Sequence, residues 1–305
     1  MRVLVTGAGG FIGREVVHTL VARQHAVIAA DRSAKQLEPI ERRTPTASLV
    51  ALDLADVAAL TACLRSEAPE AIIHLAWYAN PTDYLVSHEN LASLAMTTRL
   101  VEAALAAGCR KLVAAGSCVE YRVLDRPLTE QDAAGPSTLY GACKHAASLV
   151  AHALAAEAGA ELAWARLFHM HGPEEHDRRL IPWVARELAA GRAVDLTDGR
   201  QVRDHLHVAD IASGLVALLS PGASGIYNVC SGEPVTLRRV LEIVGDIVGR
   251  RELLRFGGRP HRDNEAMFLA GDAARLRGTG WKPHFGLEDG LRDAVTGALR
   301  RQPAG

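Results

Sequence analysis

The chain has 305 residues, 49% of them hydrophobic and 23% charged, which is enough to enclose a sizeable core and excludes a disordered protein. Its 34 Lys and Arg nearly cancel its 35 Asp and Glu, so no global field draws it to nucleic acid or an anionic membrane, and an anionic ligand must be held locally. Five cysteines, Cys63, Cys109, Cys118, Cys143 and Cys230, are odd in number and lack CxxC spacing, which argues against a disulfide framework and for a reducing, cytoplasmic setting. No signal-peptide pattern opens the chain and no stretch approaches ~18 consecutive apolar residues, so a soluble protein is expected.

Residues 2–6, RVLVT, are a short β-rich run. The glycine cluster GAGGFIG follows, and then a helical pattern through REVVHTLVARQ. Further short apolar runs, HAVIAADRS, SLVALDLAD, EAIIHLAW and RKLVAAGS, read as strands, separated by helical stretches such as DVAALTACLRSEA and NLASLAMTTRLVEAALAAG. Strand and helix alternating in this way imply right-handed crossovers and an α/β fold, a doubly wound parallel sheet of Rossmann type. Residues 1–165 are expected to form a dinucleotide-binding domain. Beyond them prolines and glycines thicken around GPEEHDRRLIP, SPGASG, GGRP and WKPHFG, which predicts a smaller, loop-rich C-terminal substrate lobe from residues 166–205 and 230–305, with 206–229 returning to the first domain.

Gly7, Gly10 and Gly13 form a GxxGxxG pattern between a strand and a helix. A tight turn there needs a residue without Cβ, a pyrophosphate needs close backbone approach, and a helix N-terminus offers N–H groups. Phe11 and Ile12 lie within the same loop. Asp31 ends the second strand, where a carboxylate can accept from the adenosine ribose hydroxyls of NAD and repel a 2′-phosphate. Arg32, beside it, could instead pair with that phosphate, so NAD is favoured and NADP stays open. Asp53, with Leu54 after it, closes the third strand and could face the adenine edge. Leu75 and Ala76, at the fourth strand's end, complete the expected cofactor wall.

Tyr140 and Lys144 in LYGACKHAASLVAHALAAE are four residues apart, which puts both on one helical face beside the carboxyl-end crevice. An ammonium near a phenol favours phenolate and lowers the tyrosine's pKa toward the working range of an acid/base catalyst. Ser117, ending RKLVAAGS, offers a hydroxyl to the same reacting oxygen. With TGAGGFIG, HLAW and YGACK, the chain resembles the extended short-chain dehydrogenase/reductase family, the NAD-dependent epimerases and dehydratases, whose members mostly act on nucleotide sugars. The likeness continues in order through RLFHMHGP, RDHLHVADIA, YNVCSGEPVTLRRV and GDAARLRGTGWKP.

The resemblance implies that Tyr140 is the acid/base, that Lys144 holds the nicotinamide ribose and tunes Tyr140, and that Ser117 positions the reacting oxygen. Asn90 matches a family asparagine that organises the helix beside the site; as a plain helix cap it would need no ligand. Arg203 and Arg259 match positions that bind the nucleotide diphosphate, which suits a guanidinium's bidentate geometry. No metal is expected, although His169 with His171, and His205 with His207, have the alternate spacing that puts two imidazoles on one strand face. Alanine-rich helices at 90–107 and 140–158 suggest a homodimer.

The family pattern is broken in three places. Cys118 and Val119 stand where 4,6-dehydratases carry adjacent acids, which argues against that chemistry, and Glu120 comes one position late. His169 replaces an asparagine that touches the sugar-linked phosphate. Trp77, followed by Tyr78, stands where small residues are commoner and reshapes the pocket beside the nicotinamide. The reading favoured by these departures is reduction of a 4-keto nucleotide sugar. A 4-epimerase that retains NAD is the alternative, and an NAD(P)-sensing binding protein without turnover is the reading outside catalysis.

Overall fold

The computed structural model describes residues 1–261 and 265–301, so residues 262–264 and 302–305 of the expected substrate lobe lie outside the described residues. The chain runs β1 (Arg2–Thr6), α1 (Phe11–Ala22), β2 (Ala26–Asp31), α2 (Ala34–Arg43), β3 (Ser48–Ala51), α3 (Val57–Glu67), β4 (Ala71–His74), α4 (Glu89–Ala106) and β5 (Lys111–Ser117). Next come α5 (Leu139–Glu157), β6 (Glu161–Leu167), β7 (His169–His171), α6 (Leu180–Ala189), β8 (Val194–Leu196), β9 (Val202–His207), α7 (Val208–Ala217) and β10 (Gly225–Val229). The last elements are β11 (Pro234–Thr236), α8 (Leu237–Val248), β12 (Leu254–Phe256), β13 (Phe268–Leu269), α9 (Ala274–Arg277) and α10 (Leu287–Arg300).

Seven strands form one parallel sheet in the order β10-β6-β5-β4-β1-β2-β3. The order reverses between β1 and β4, and such a switch point opens a ligand crevice at the carboxyl ends of the strands. β4 and β5 are buried at every position, which is why their sequences read as continuous apolar runs rather than alternating ones. Each face carries its own core. Val3, Val5, Val16, Leu20, Ile211 and Leu215 lie on one side, and Leu4, Ile28, Leu60, Ile72, Leu100 and Trp164 on the other. Helix starts are set locally: Asp56 accepts from Ala59 N at 3.0 Å to cap α3, and Thr138 accepts from Gly141 N at 3.1 Å to cap α5.

α6, α8 and α10 pack around Val184, Leu188, Val240, Val244, Leu291 and Val295 in a separate core. Two small sheets complete this lobe. In one, β9 pairs with β11, β13 and β7; in the other, β8 pairs with β12. Among the described residues no helix is long and apolar enough to cross a membrane.

Candidate active site

The crevice at the switch point widens into one cleft of about 1150 Å³ running from Arg32 and Asp53 at one end to Arg259 and Glu265 at the other. That exceeds the roughly 300–1,000 Å³ of a site for one drug-sized ligand, so two can lie end to end. Gly7 has φ +69°, and a Cβ there would lie 2.7 Å from Ala76 N; a Cβ on Gly13 would lie 2.2 Å from Gly7 O. Only glycine lets the loop close this tightly over the β4 end. α1 begins behind it with no side-chain cap, which leaves its first-turn N–H groups to serve an anion. Asp31 accepts from Gly9 N at 2.9 Å and Arg32 N at 2.8 Å, so it braces the glycine loop while facing the cleft.

Phe11, Ile12, Leu54, Leu75 and Ala76 line the same end, and Arg32 and Asp53 stand exposed at its mouth. Below the crevice, His74 joins Thr6 Oγ1 at 2.7 Å to Thr97 Oγ1 at 2.9 Å; burial holds its pKa down at about 3, so it is a neutral strut. A dinucleotide suits this half of the cleft: the glycine loop admits close backbone approach, α1 offers N–H donors, and Asp31 stands at the end of the adjacent strand.

Ser117, Tyr140 and Lys144 meet where the two halves of the cleft join. The Tyr140 phenol lies beside Ser117, whose hydroxyl favours its ionisation, and its ring packs edge-on against Tyr84 at 5.1 Å and Trp77 at 6.3 Å between centroids. Lys144 does not act as the spacing suggests. Its Nζ donates to Ala115 O at 2.6 Å, lies 3.8 Å from the Trp77 ring centroid and stays 5.9 Å from that of Tyr140. Although Tyr140 keeps some exposure to the cleft, dense surroundings desolvate it and push its pKa up, against the expected lowering. Burial also draws Lys144 down to about 7, which weakens the charge that was expected to do the lowering.

Asn90 is fully buried and does not line the cleft. It accepts from Trp77 Nε1 at 2.9 Å and donates to Tyr84 O and Ser87 O at 2.7 and 2.8 Å, so it fixes the Trp77 side chain and the turn carrying Tyr84. Glu120 points away from the cleft. It is fully buried and accepts from Ser117 N at 2.7 Å, Trp164 Nε1 at 3.0 Å and Arg166 Nε at 3.0 Å. Cys118, where a dehydratase would carry an acid, is buried with its thiol pushed up to about 12, so it stays protonated at neutral pH.

The far half is lined by residues of the smaller lobe, among them His169, Arg203 and Arg259. Arg203 donates to its neighbour Val202 O at 2.9 Å and lies 3.7 Å from Glu265, with burial drawing its pKa down. The Arg259 guanidinium lies 5.8 Å from the Trp183 ring centroid. Glu175, His176 and Arg179 went unnoticed in the sequence, and His205 stood out only for its spacing from His207; all four also line the cleft. Only the charge-rich stretch GPEEHDRRLIP hinted at the first three. Burial raises Glu175 to about 8. Among the described residues no group of three or more His, Cys, Asp or Glu is arranged to hold a metal ion.

A switch-point crevice with a glycine loop and a Ser-Tyr-Lys cluster at its centre defines a dinucleotide-dependent oxidoreductase-type enzyme. The family model described as the NAD dependent epimerase/dehydratase family matches residues 3–230, and the chain belongs to that family. The chain is similar to UDP-glucuronate 4-epimerase of Thermodesulfobacterium geofontis, at 27% identity over 96% of this chain and 94% of that one. It is 29% identical to GDP-6-deoxy-D-mannose reductase of Pseudomonas aeruginosa over 95% of both chains. The solved structure of Thermus thermophilus UDP-glucose 4-epimerase in complex with NAD superimposes with a TM-score of 0.85, at 26% identity, covering 99% of this chain and 100% of that one.

Proposed function

We propose that this chain reduces a 4-keto nucleotide sugar, with Tyr140 giving the proton, Ser117 holding the reacting oxygen, and NAD as the cofactor in its reduced form. The bound cofactor supplies the hydride. The chain's own part is to orient and to move a proton. Ser117, its backbone N–H fixed by Glu120, presents its hydroxyl beside the Tyr140 phenol. As the ketone oxygen gains charge, the Tyr140 O–H bond breaks and the alcohol O–H forms. A phenol whose pKa is raised by burial is a poor acid in the resting site, and a positive charge brought near it would lower that pKa. Arg203 and Arg259 would pair with the nucleotide diphosphate, with His169 near the sugar.

The observation that carries reduction over epimerisation is Trp77. Its ring lines the cleft, held by the Asn90 hydrogen bond and the Lys144 ammonium with its centroid 6.3 Å from that of Tyr140, and a bulky, fixed wall there disfavours a keto sugar turning over. Epimerisation is the second reading, favoured by the epimerases among the relatives. Absorbance and mass analysis of the freshly purified protein for retained NAD(H), followed by nucleotide sugars with NADH or NADPH, separates them: a reductase consumes the reduced cofactor, whereas retained NAD with no net turnover indicates the epimerase.

The same reading includes a homodimer in a reducing, cytoplasmic compartment. Leu91 on α4 and Leu149 and Val150 on α5 are exposed on helices that pack side by side, and the five cysteines are free and buried. Light scattering that gives a monomer at micromolar concentration contradicts the dimer.

A further inference from the structure

Four imidazoles form a ladder from the substrate half of the cleft toward the surface, and the proton transfer described above uses none of them. β7 and β9 run parallel with His169 opposite His205 and His171 opposite His207. Alternate residues share a strand face, so all four rings fall on one side. Ring centroids are 5.6 Å apart for His169 and His205, 6.2 Å for His205 and His171, and 5.7 Å for His171 and His207. His169 and His205 face the cleft. At the other end His207 Nε2 lies 3.2 Å from Asp293 Oδ2, and the Asp293 side chain is 47% exposed.

The middle of the ladder is polar and unpaired. His171 is 1% exposed, and neither of its ring nitrogens has a protein partner; the same is true of both nitrogens of His205 and of His169 Nδ1. Buried polar atoms left this way point to ordered water or to a group in transit between them. α10 accommodates the row, since a Cβ on Gly290 would come 2.6 Å from His171 Nε2, and Phe285, just before that helix, packs on His207 with ring centroids 4.0 Å apart. Arg203 and Arg179 face the inner end, while Asp210 and Glu15 act on His207. Neutral imidazoles suit a relay, because each accepts a proton on one nitrogen and gives one from the other.

The geometry points to a proton route from Asp293 through His207, His171 and the His205–His169 pair into the substrate cleft, with water closing the gaps. This inference rests on the reductase reading, since reduction takes up one solvent proton per turnover and epimerisation takes up none. For each ketone reduced, the reduced cofactor gives the hydride and Tyr140 the proton. The resulting phenolate is reprotonated from the cleft. Along the ladder an N–H bond breaks on each imidazole as one forms on the next, and Asp293 takes the replacement proton from water.

The test is NADH oxidation by the full chain with a 4-keto nucleotide sugar, at low and high concentrations of a small buffer acid such as imidazole. It compares wild type with His171→Phe and, as a surface change that leaves the core untouched, Asp293→Asn. In weak buffer the His171→Phe kcat should fall at least about tenfold with KM unchanged and climb back as buffer is raised, with a smaller effect for Asp293→Asn, while the wild-type rate ignores buffer. Should His171→Phe fail to fold, Asp293→Asn carries the comparison alone. Variants as fast as wild type in weak buffer, or slowed without buffer rescue, overturn the route and leave the reductase reading intact. A wild type that consumes no NADH with any keto sugar overturns both.

Discussion

Glu120→Ala tests how the serine is held. The substitution removes the carboxylate paired with Arg166, which is 2% exposed, and it strips acceptors from Ser117 N and Trp164 Nε1. Breaking a buried pair by removing one partner costs about 3–5 kcal/mol, because the remaining charge is stranded. With an unfolding entropy of about 2 cal/mol/K per residue over 305 residues, the loss corresponds to a Tm lower by about 5–8 °C. Differential scanning calorimetry reads it directly. Replacing both partners by apolar residues, Glu120→Leu with Arg166→Met, should recover most of the loss, since the stranded charge is then gone. A Tm drop under about 2 °C for Glu120→Ala, or a double variant no better than the single one, would refute the idea that this pair anchors the Ser117 turn.

Tyr140→Phe should lower kcat by about 10²–10⁴ while leaving NAD binding nearly unchanged, as measured by initial rates and calorimetric titration; retained activity rejects the acid assignment. Gly7→Ala forces a side chain into φ +69° and against Ala76 N, so NAD affinity and Tm should both fall, by roughly 1–3 kcal/mol for the strain alone, and unchanged values contradict the close approach. Lys144 is drawn down to about 7 from 10.5, so above pH 7 the unfolded chain binds more protons than the folded one. Wild-type stability relative to Lys144→Met should therefore rise between about pH 7 and 10, and a flat difference would show that Lys144 is not desolvated.

The sheet was legible because its central strands are buried on both faces: RVLVT, AIIH and KLVAAGS announce themselves as apolar runs, and the glycine loop marks the first turn between strand and helix. Tyr140 and Lys144 were legible as a pair on one helical face, but not in their electrostatics. That depends on Trp77 and Ala115, which come from two other strand ends and capture the ammonium. The alternation of His169 with His171 and of His205 with His207 was visible in the sequence, whereas their cross-strand register was not, because β7 and β9 are separated by α6 and β8. That Glu120 comes one position late for a dehydratase acid was legible, but its buried partners Arg166 and Trp164, brought in by β6, were not. In each case the missing term is a contact between residues distant in sequence.

The destination of the hydride distinguishes reduction from every alternative. The decisive measurement is a single turnover of a 4-keto nucleotide sugar with NADH carrying deuterium at the transferred position, followed by mass analysis of the sugar product. Wild type should place one deuterium at C4 for each NADH consumed, and Tyr140→Phe should do so at least about a hundredfold more slowly. Product without deuterium, or label delivered equally fast by Tyr140→Phe, would contradict the assignment of this cleft as a Ser117–Tyr140–Lys144 reductase site.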